Sequence, residues 1–100
     1  MAGGQEPEDA AKKTPCWFVY MVRCRDNSLY TGITTDLAKR LAQHNSDQEG
    51  ARYTRGRRPV RLAYSEQAPS RSAATKREGQ LKRLDAAGKN ALAQKAGMEE

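Results

Sequence analysis

The longest apolar run in this chain, Cys16 to Val22, fixes the first decision about its fold. Trp17-Phe18-Val19-Tyr20-Met21-Val22 is β-branched and aromatic-rich, so it reads as a strand buried on both faces. Side chains alternate along a strand, so Phe18, Tyr20 and Val22 point one way and Trp17, Val19 and Met21 the other. The run is far too short to span a bilayer, and no apolar h-region precedes it. A cytoplasmic protein without membrane contact is expected.

Asp26-Asn27-Ser28 is a turn signal, and Leu29-Tyr30-Thr31-Gly32-Ile33-Thr34 after it has strand composition. Arg23 to Ser28 therefore closes a hairpin, which places Tyr20 and Tyr30 on neighbouring strands. Leu29, Thr31 and Ile33 share one face of the second strand; Tyr30, Gly32 and Thr34 share the other. Gly32 weakens a strand, and close approach of another backbone or a ligand is one common reason to keep it. Thr35 or Asp36 can then cap a helix running to about Asn45. In that helix Leu37 and Leu41 lie one turn apart, and Arg40 and His44 form a second such pair beside them.

Ser46 to Arg58 reads as a basic loop that Pro59 ends. Val60 to Tyr64 alternates with period two, giving a third strand with Val60, Leu62 and Tyr64 inward. Ser70 and Ser72 both suit the cap of a second helix that reaches about Ala86, with Gly88 as its stop. Its inner stripe runs through Ala74 and Leu81, with Glu78 between them, so a carboxylate falls where an apolar residue should be. Lys89 to Ala96 can form a short last helix carrying Leu92, and residues 97–100 are expected to fray. Residues 1–15 hold two prolines, five charges and no large apolar side chain beyond the initiating Met1, so they read as a disordered arm. The order β-β-α-β-α-α over residues 16–96 makes one α+β domain, and 37% hydrophobic content allows it a modest core.

The net charge of +6 is unevenly spread. Arg52, Arg55, Arg57, Arg58 and Arg61 follow one another without an acid, and Arg71, Lys76, Arg77, Lys82 and Arg83 face Glu78 alone. Clustered base on a small domain is the footprint of a polyanion partner, and arginine favours phosphate because its planar fork grips two oxygens. Cys16 and Cys24 have no metal-ligand spacing and are expected to be reduced. A Gly-rich phosphate loop and a Ser-His-Asp arrangement are absent.

Five polar groups suggest a site: Tyr20, Tyr30, Arg40, His44 and Glu78. Singly, each has an ordinary structural role: packing for the tyrosines, a helix end for His44, an i, i+4 pair with Lys82 for Glu78. Together they suit hydrolysis of a phosphodiester. That reaction needs a group to deprotonate water, a cation for the pentacovalent oxyanion, and a metal to neutralise the phosphate and leaving oxygen. Glu78 is the acid placed to reach Mg²⁺ or Mn²⁺, and Arg40 the phosphate clamp.

The pattern Phe18-Val19-Tyr20, then Tyr30-Thr31-Gly32 with its tyrosine ten positions after Tyr20, then Arg40, His44 and Glu78 resembles the GIY-YIG nuclease superfamily. The likeness is greatest to its small single-domain bacterial members of the YhbQ type, and the Slx-type structure-specific endonucleases share the strand-to-helix portion. Thr31-Gly32-Ile33-Thr34-Thr35-Asp36, Lys39-Arg40, Gln43-His44, Tyr53-Thr54-Arg55, Arg58-Pro59-Val60 and Arg77-Glu78 carry the same likeness. The resemblance implies a three-stranded antiparallel sheet flanked by helices and a divalent metal used to cut nucleic acid. It implies Tyr20 and Tyr30 as the motif tyrosines, Gly32 as the motif glycine, Arg40 as the catalytic arginine and Glu78 as the metal-binding glutamate. His44 corresponds to a histidine found in part of the family. The first motif has lost its glycine and the second reads Tyr-Thr-Gly, so Phe18 is expected to narrow the site while both tyrosines are kept.

The expectation is a divalent-metal-dependent endonuclease in DNA repair or processing, with DNA favoured over RNA and branches, flaps or gaps as substrates. Arg52, Arg55, Arg57, Arg58, Arg61 and Lys82 would track the backbone. The alternative is a nucleic-acid-binding accessory module with weak or no cleavage, and a protein partner for targeting is compatible with both.

Overall fold

A computed structural model describes residues 16–46 and 52–98, without the side chains of residues 52 and 53. The disordered arm expected over 1–15, part of the basic loop, the DNA contact expected of Arg52 and the end of the fraying tail lie outside the described residues. Strand β1 (Trp17–Arg23) is followed by β2 (Leu29–Thr34), helix α1 (Leu37–His44), one helical turn (Arg52–Arg55), β3 (Arg61–Ala68), α2 (Arg71–Lys82) and α3 (Ala86–Ala96). The sheet is antiparallel in the order β2-β1-β3. The apolar run thus takes the central place, where both faces are covered.

Alternation on β1 divides the core in two. Val19 packs with Ala68, Ala74 and Leu81 under α2 and α3, joined by Ile33 and Leu92. Tyr20 and Val22 pack with Cys24 and Val60 on the opposite face, joined by Tyr30, Leu37, Leu41 and Leu62. In the hairpin turn, Asp26 Oδ1 accepts from the Ser28 N–H (3.1 Å) and hydroxyl (2.6 Å), and Asn27 takes a left-handed φ of 74°. Tyr20 lies opposite Gly32, and Val22 opposite Tyr30.

Three expectations need correction. The third strand is longer than Val60 to Tyr64, because β3 pairs along the whole of β1 out to Ala68. Between Met21 and Val22 the register shifts: Val22 faces Leu62, whereas Met21 faces Tyr64. This bulge inserts one residue, so Tyr64 lies on the Val19 face rather than with Val60 and Leu62. Helix α2 stops at Lys82 instead of reaching Ala86, because Asp85 Oδ1 accepts from Gly88 N (2.9 Å) and starts α3 early. Gly88 therefore sits in the first turn of α3, and the left-handed Gly97 (φ 66°) ends that helix.

Candidate active site

Asp36 settles the choice of cap for α1. Its Oδ1 accepts from Lys39 N at 3.0 Å, and its own N–H donates to Thr34 Oγ1 at 3.1 Å, tying the helix directly to β2. With Leu37 and Leu41 packed on the sheet, Arg40 and His44 come over the face that carries Tyr20 and Tyr30.

His44 is fully buried and stands at the centre. Its Nε2 is 2.7 Å from the Tyr20 hydroxyl and its Nδ1 3.0 Å from Thr54 Oγ1. Tyr20 and Tyr30 meet its ring edge-on, with centroids at 5.8 and 5.4 Å. Burial, and then the Arg40 charge, push the imidazole down to about 4, so it is neutral at physiological pH. Both ring nitrogens of the neutral imidazole are thus paired with hydroxyls, Nε2 with Tyr20 and Nδ1 with Thr54.

Tyr20 is held in opposite directions. Burial raises its phenol above the ordinary tyrosine value, while a hydrogen bond from Arg40 and the Arg40 charge lower it; the charges of Tyr30 and Glu78 raise it again, and the net shift is upward. Arg40 also donates to Gln43 Oε1 at 2.9 Å, one turn along on the same helix. Beneath the phenol lies Gly32. A Cβ there would sit 2.6 Å from the Tyr20 oxygen and 2.8 Å from Cζ, so only glycine admits the ring in this pose.

Tyr20, Tyr30, Arg40 and His44 are thus brought together, and Glu78 lies close enough to bear electrostatically on Tyr20. The Glu78 carboxylate, with a side chain 21% exposed, meets Lys82 Nζ at 3.3 Å on its own helix. Among the described residues no three of His, Cys, Asp and Glu gather as a metal cluster, and Glu78 is the carboxylate whose charge is felt at Tyr20. Phe18, half-buried, stands two residues from Tyr20 on the same strand.

The basic loop is divided in its duties. Arg57 Nε donates to Asp26 Oδ2 at 2.9 Å, and the Ser28 hydroxyl and N–H, followed by Arg57, hold the Asp26 carboxyl below its usual value. Arg58 Nε donates to the Arg55 carbonyl at 2.9 Å, and Arg55 and Arg61 are exposed. Sequence reading assigned no role to Thr54 or Asn45. Thr54 is fully buried against His44, and the Asn45 amide brackets Val60, accepting from its N–H (2.8 Å) and donating to its carbonyl (3.0 Å). The signal for Asn45 was present, since a helix-end Asn can satisfy backbone groups; that for Thr54 depended on the loop folding back.

Comparison with known proteins identifies the family and the fold. Residues 16–90 match the GIY-YIG catalytic domain. A UPF0213 protein of Desulfotalea psychrophila is 55% identical over 78 residues, which cover 78% of this chain and 71% of that one. A UPF0213 protein of Halobacterium salinarum is 49% identical over 74 residues, covering 74% and 95%. The solution NMR structure of a UPF0213 protein from Bacillus halodurans superposes with a TM-score of 0.53 at 40% identity, covering 83% of this chain and 87% of that one. No helix among the described residues is long and apolar enough to cross a membrane. By sequence and fold, the chain belongs to the GIY-YIG family of nuclease domains.

Proposed function

We propose that this chain is a divalent-metal-dependent endonuclease that hydrolyses DNA phosphodiester bonds, acting on branched or gapped structures in repair or processing. The observation that carries the reading is the convergence of Tyr20, Tyr30, Arg40 and His44 on one face of the sheet, with the Glu78 charge bearing on it. Free cysteines at 16 and 24 fit a reducing, cytoplasmic setting.

Arg40 clamps the phosphate and stabilises the charge that develops on its oxygens. Tyr20 acts as base only after its own phenol proton has passed to solvent; the phenolate, favoured by the bonded Arg40, then takes the proton of the attacking water and returns to the phenol. Since burial outweighs Arg40, the phenolate needs further positive charge nearby. Mg²⁺ takes one or two carboxylates and completes its shell with waters and substrate phosphate, so the Glu78 carboxylate would suit such an ion shared with substrate. Held there, the ion supplies charge neutralisation on the phosphate and leaving oxygen. His44 acts as a positioning residue. Burial raises the phenol and lowers the imidazole, so both shifts oppose passing the Tyr20 proton to His44.

That same raised phenol favours a second reading, a nucleic-acid-binding accessory module that cuts weakly or not at all. Cleavage of labelled branched, single-stranded and duplex DNA with Mg²⁺ or Mn²⁺ separates the two. Wild type should cut, and Arg40→Ala and Glu78→Ala should each lose about 100-fold or more while still binding. If all three bind and none cuts, the accessory reading replaces the nuclease.

A further inference from the structure

Beside the tyrosine site lies an open concavity of about 480 Å³, lined by Arg25, Asn45, Arg55, Gly56, Arg58 and Pro59. Three of these six residues carry guanidinium groups and none carries a carboxylate, so its chemistry is that of an anion site. Arg25 comes from the hairpin turn, outside the arginine-rich run, and both Arg25 and Arg55 are exposed. Sequence alone offers no reason to join Arg25 to that run.

The walls are held rigidly. Arg25 N donates to the Arg57 carbonyl at 2.8 Å, and the Arg57–Asp26 ion pair fastens the loop to the same turn. On the other side Asn45 brackets Val60, and Thr54, next to Arg55, is bonded to His44. His44 and Asn45 are consecutive, so one face of this junction belongs to the tyrosine site and the other to the concavity. Arginines rooted on a backbone tied in this way bind phosphate at a lower ordering cost than those of a loose loop. Arg57, which lies in the middle of the run, serves the frame instead.

We propose that this concavity seats a backbone phosphate of the nucleic-acid strand other than the scissile one, with Arg25 and Arg55 as its principal contacts. The proposal rests on the reading of the partner as nucleic acid, and it fixes where the strand leaves the site: past the end of α1 toward the hairpin turn. Contacts of this kind position the strand and carry no base preference.

The test is metal-free binding of a short labelled oligonucleotide, followed by fluorescence anisotropy across a salt series. Compared with wild type, Arg25→Ala and Arg55→Ala should each reduce the slope of log K against log[salt] by about one. Lys95→Ala, an equal loss of charge on exposed α3, should leave the slope unchanged. Arg25→Lys should restore the slope but not the full affinity, since a point charge replaces a fork. The proposal is overturned if the two arginine variants behave like Lys95→Ala, or if inorganic phosphate or a mononucleotide occupies the concavity in preference to the strand. Altered slopes in a protein that never cuts would uphold this site and sink the nuclease reading. A wild type that binds no oligonucleotide even at low salt removes both.

Discussion

At the scale of single residues, His44 is where structure departs furthest from what its sequence position suggests. A lone histidine at a helix end is ordinarily a surface group favoured by the helix dipole. Here it is fully buried between Tyr20 and Thr54 and is neutral. Its folded value of about 4 lies below the ordinary 6.5, so the unfolded chain binds the proton more readily. Stability from this group is therefore fully present above pH 6.5 and is lost as pH falls toward 4, reaching about 3 kcal/mol. Urea unfolding at pH 7, 5.5 and 4.5 should show the midpoint falling in wild type and a shallower fall in His44→Gln, whose amide cannot take up a proton. An equal fall in both proteins would show that other groups carry the acid sensitivity. The sequence held the helical pairing of Arg40 and His44 but not the burial, because Thr54 arrives ten residues later through a loop with no periodic signal.

Pairs of elements show what patterning makes legible. The hairpin, the face assignments on β1 and β2, and the packing of Leu37 and Leu41 follow from period-two and i, i+4 spacing. The bulge between Met21 and Val22 does not, since one inserted residue leaves the alternation of β3 looking regular when it is read alone. The α2–α3 boundary was missed because Gly88 resembles a stop when the Asp85 cap is overlooked. Gly32 was legible in kind: a glycine inside a strand signals close approach, and the approaching group is the Tyr20 ring across the β1–β2 pair. Gly32→Ala should thus displace Tyr20, costing about 1–3 kcal/mol of stability and most of the cleavage activity. Removing the ring first removes all three close contacts, so in a Tyr20→Ala background the same substitution should cost clearly less. Stability measurements on the four proteins of this cycle would give that coupling, and additive costs would refute the steric account.

For the whole molecule, the sheet works as a partition with the site on one side and its support on the other. Helix α2 is rooted through Ala74 and Leu81 in the face away from Tyr20, yet its Glu78 charge reaches Tyr20. A carboxylate on an otherwise apolar stripe was visible in the sequence; which of two partners holds it was not. The structure pairs it with Lys82, a residue that charge clustering alone would assign to DNA. On the proposed function, Lys82 and a divalent ion compete for one carboxylate, and the Lys82 end of the pair is half-exposed, so the pair is weak. An i, i+4 pair of about 0.3–0.5 kcal/mol corresponds to about a twofold change in affinity. Lys82→Ala should therefore lower the Mn²⁺ concentration that half-broadens the Glu78 resonances in NMR, and the Mg²⁺ concentration for half-maximal cleavage, each by about twofold. A role on the DNA backbone predicts the opposite division: an unchanged metal requirement, a higher KM for DNA and a smaller salt slope. Because the first readout needs no turnover, it decides between the two roles of Lys82 even in a protein that only binds.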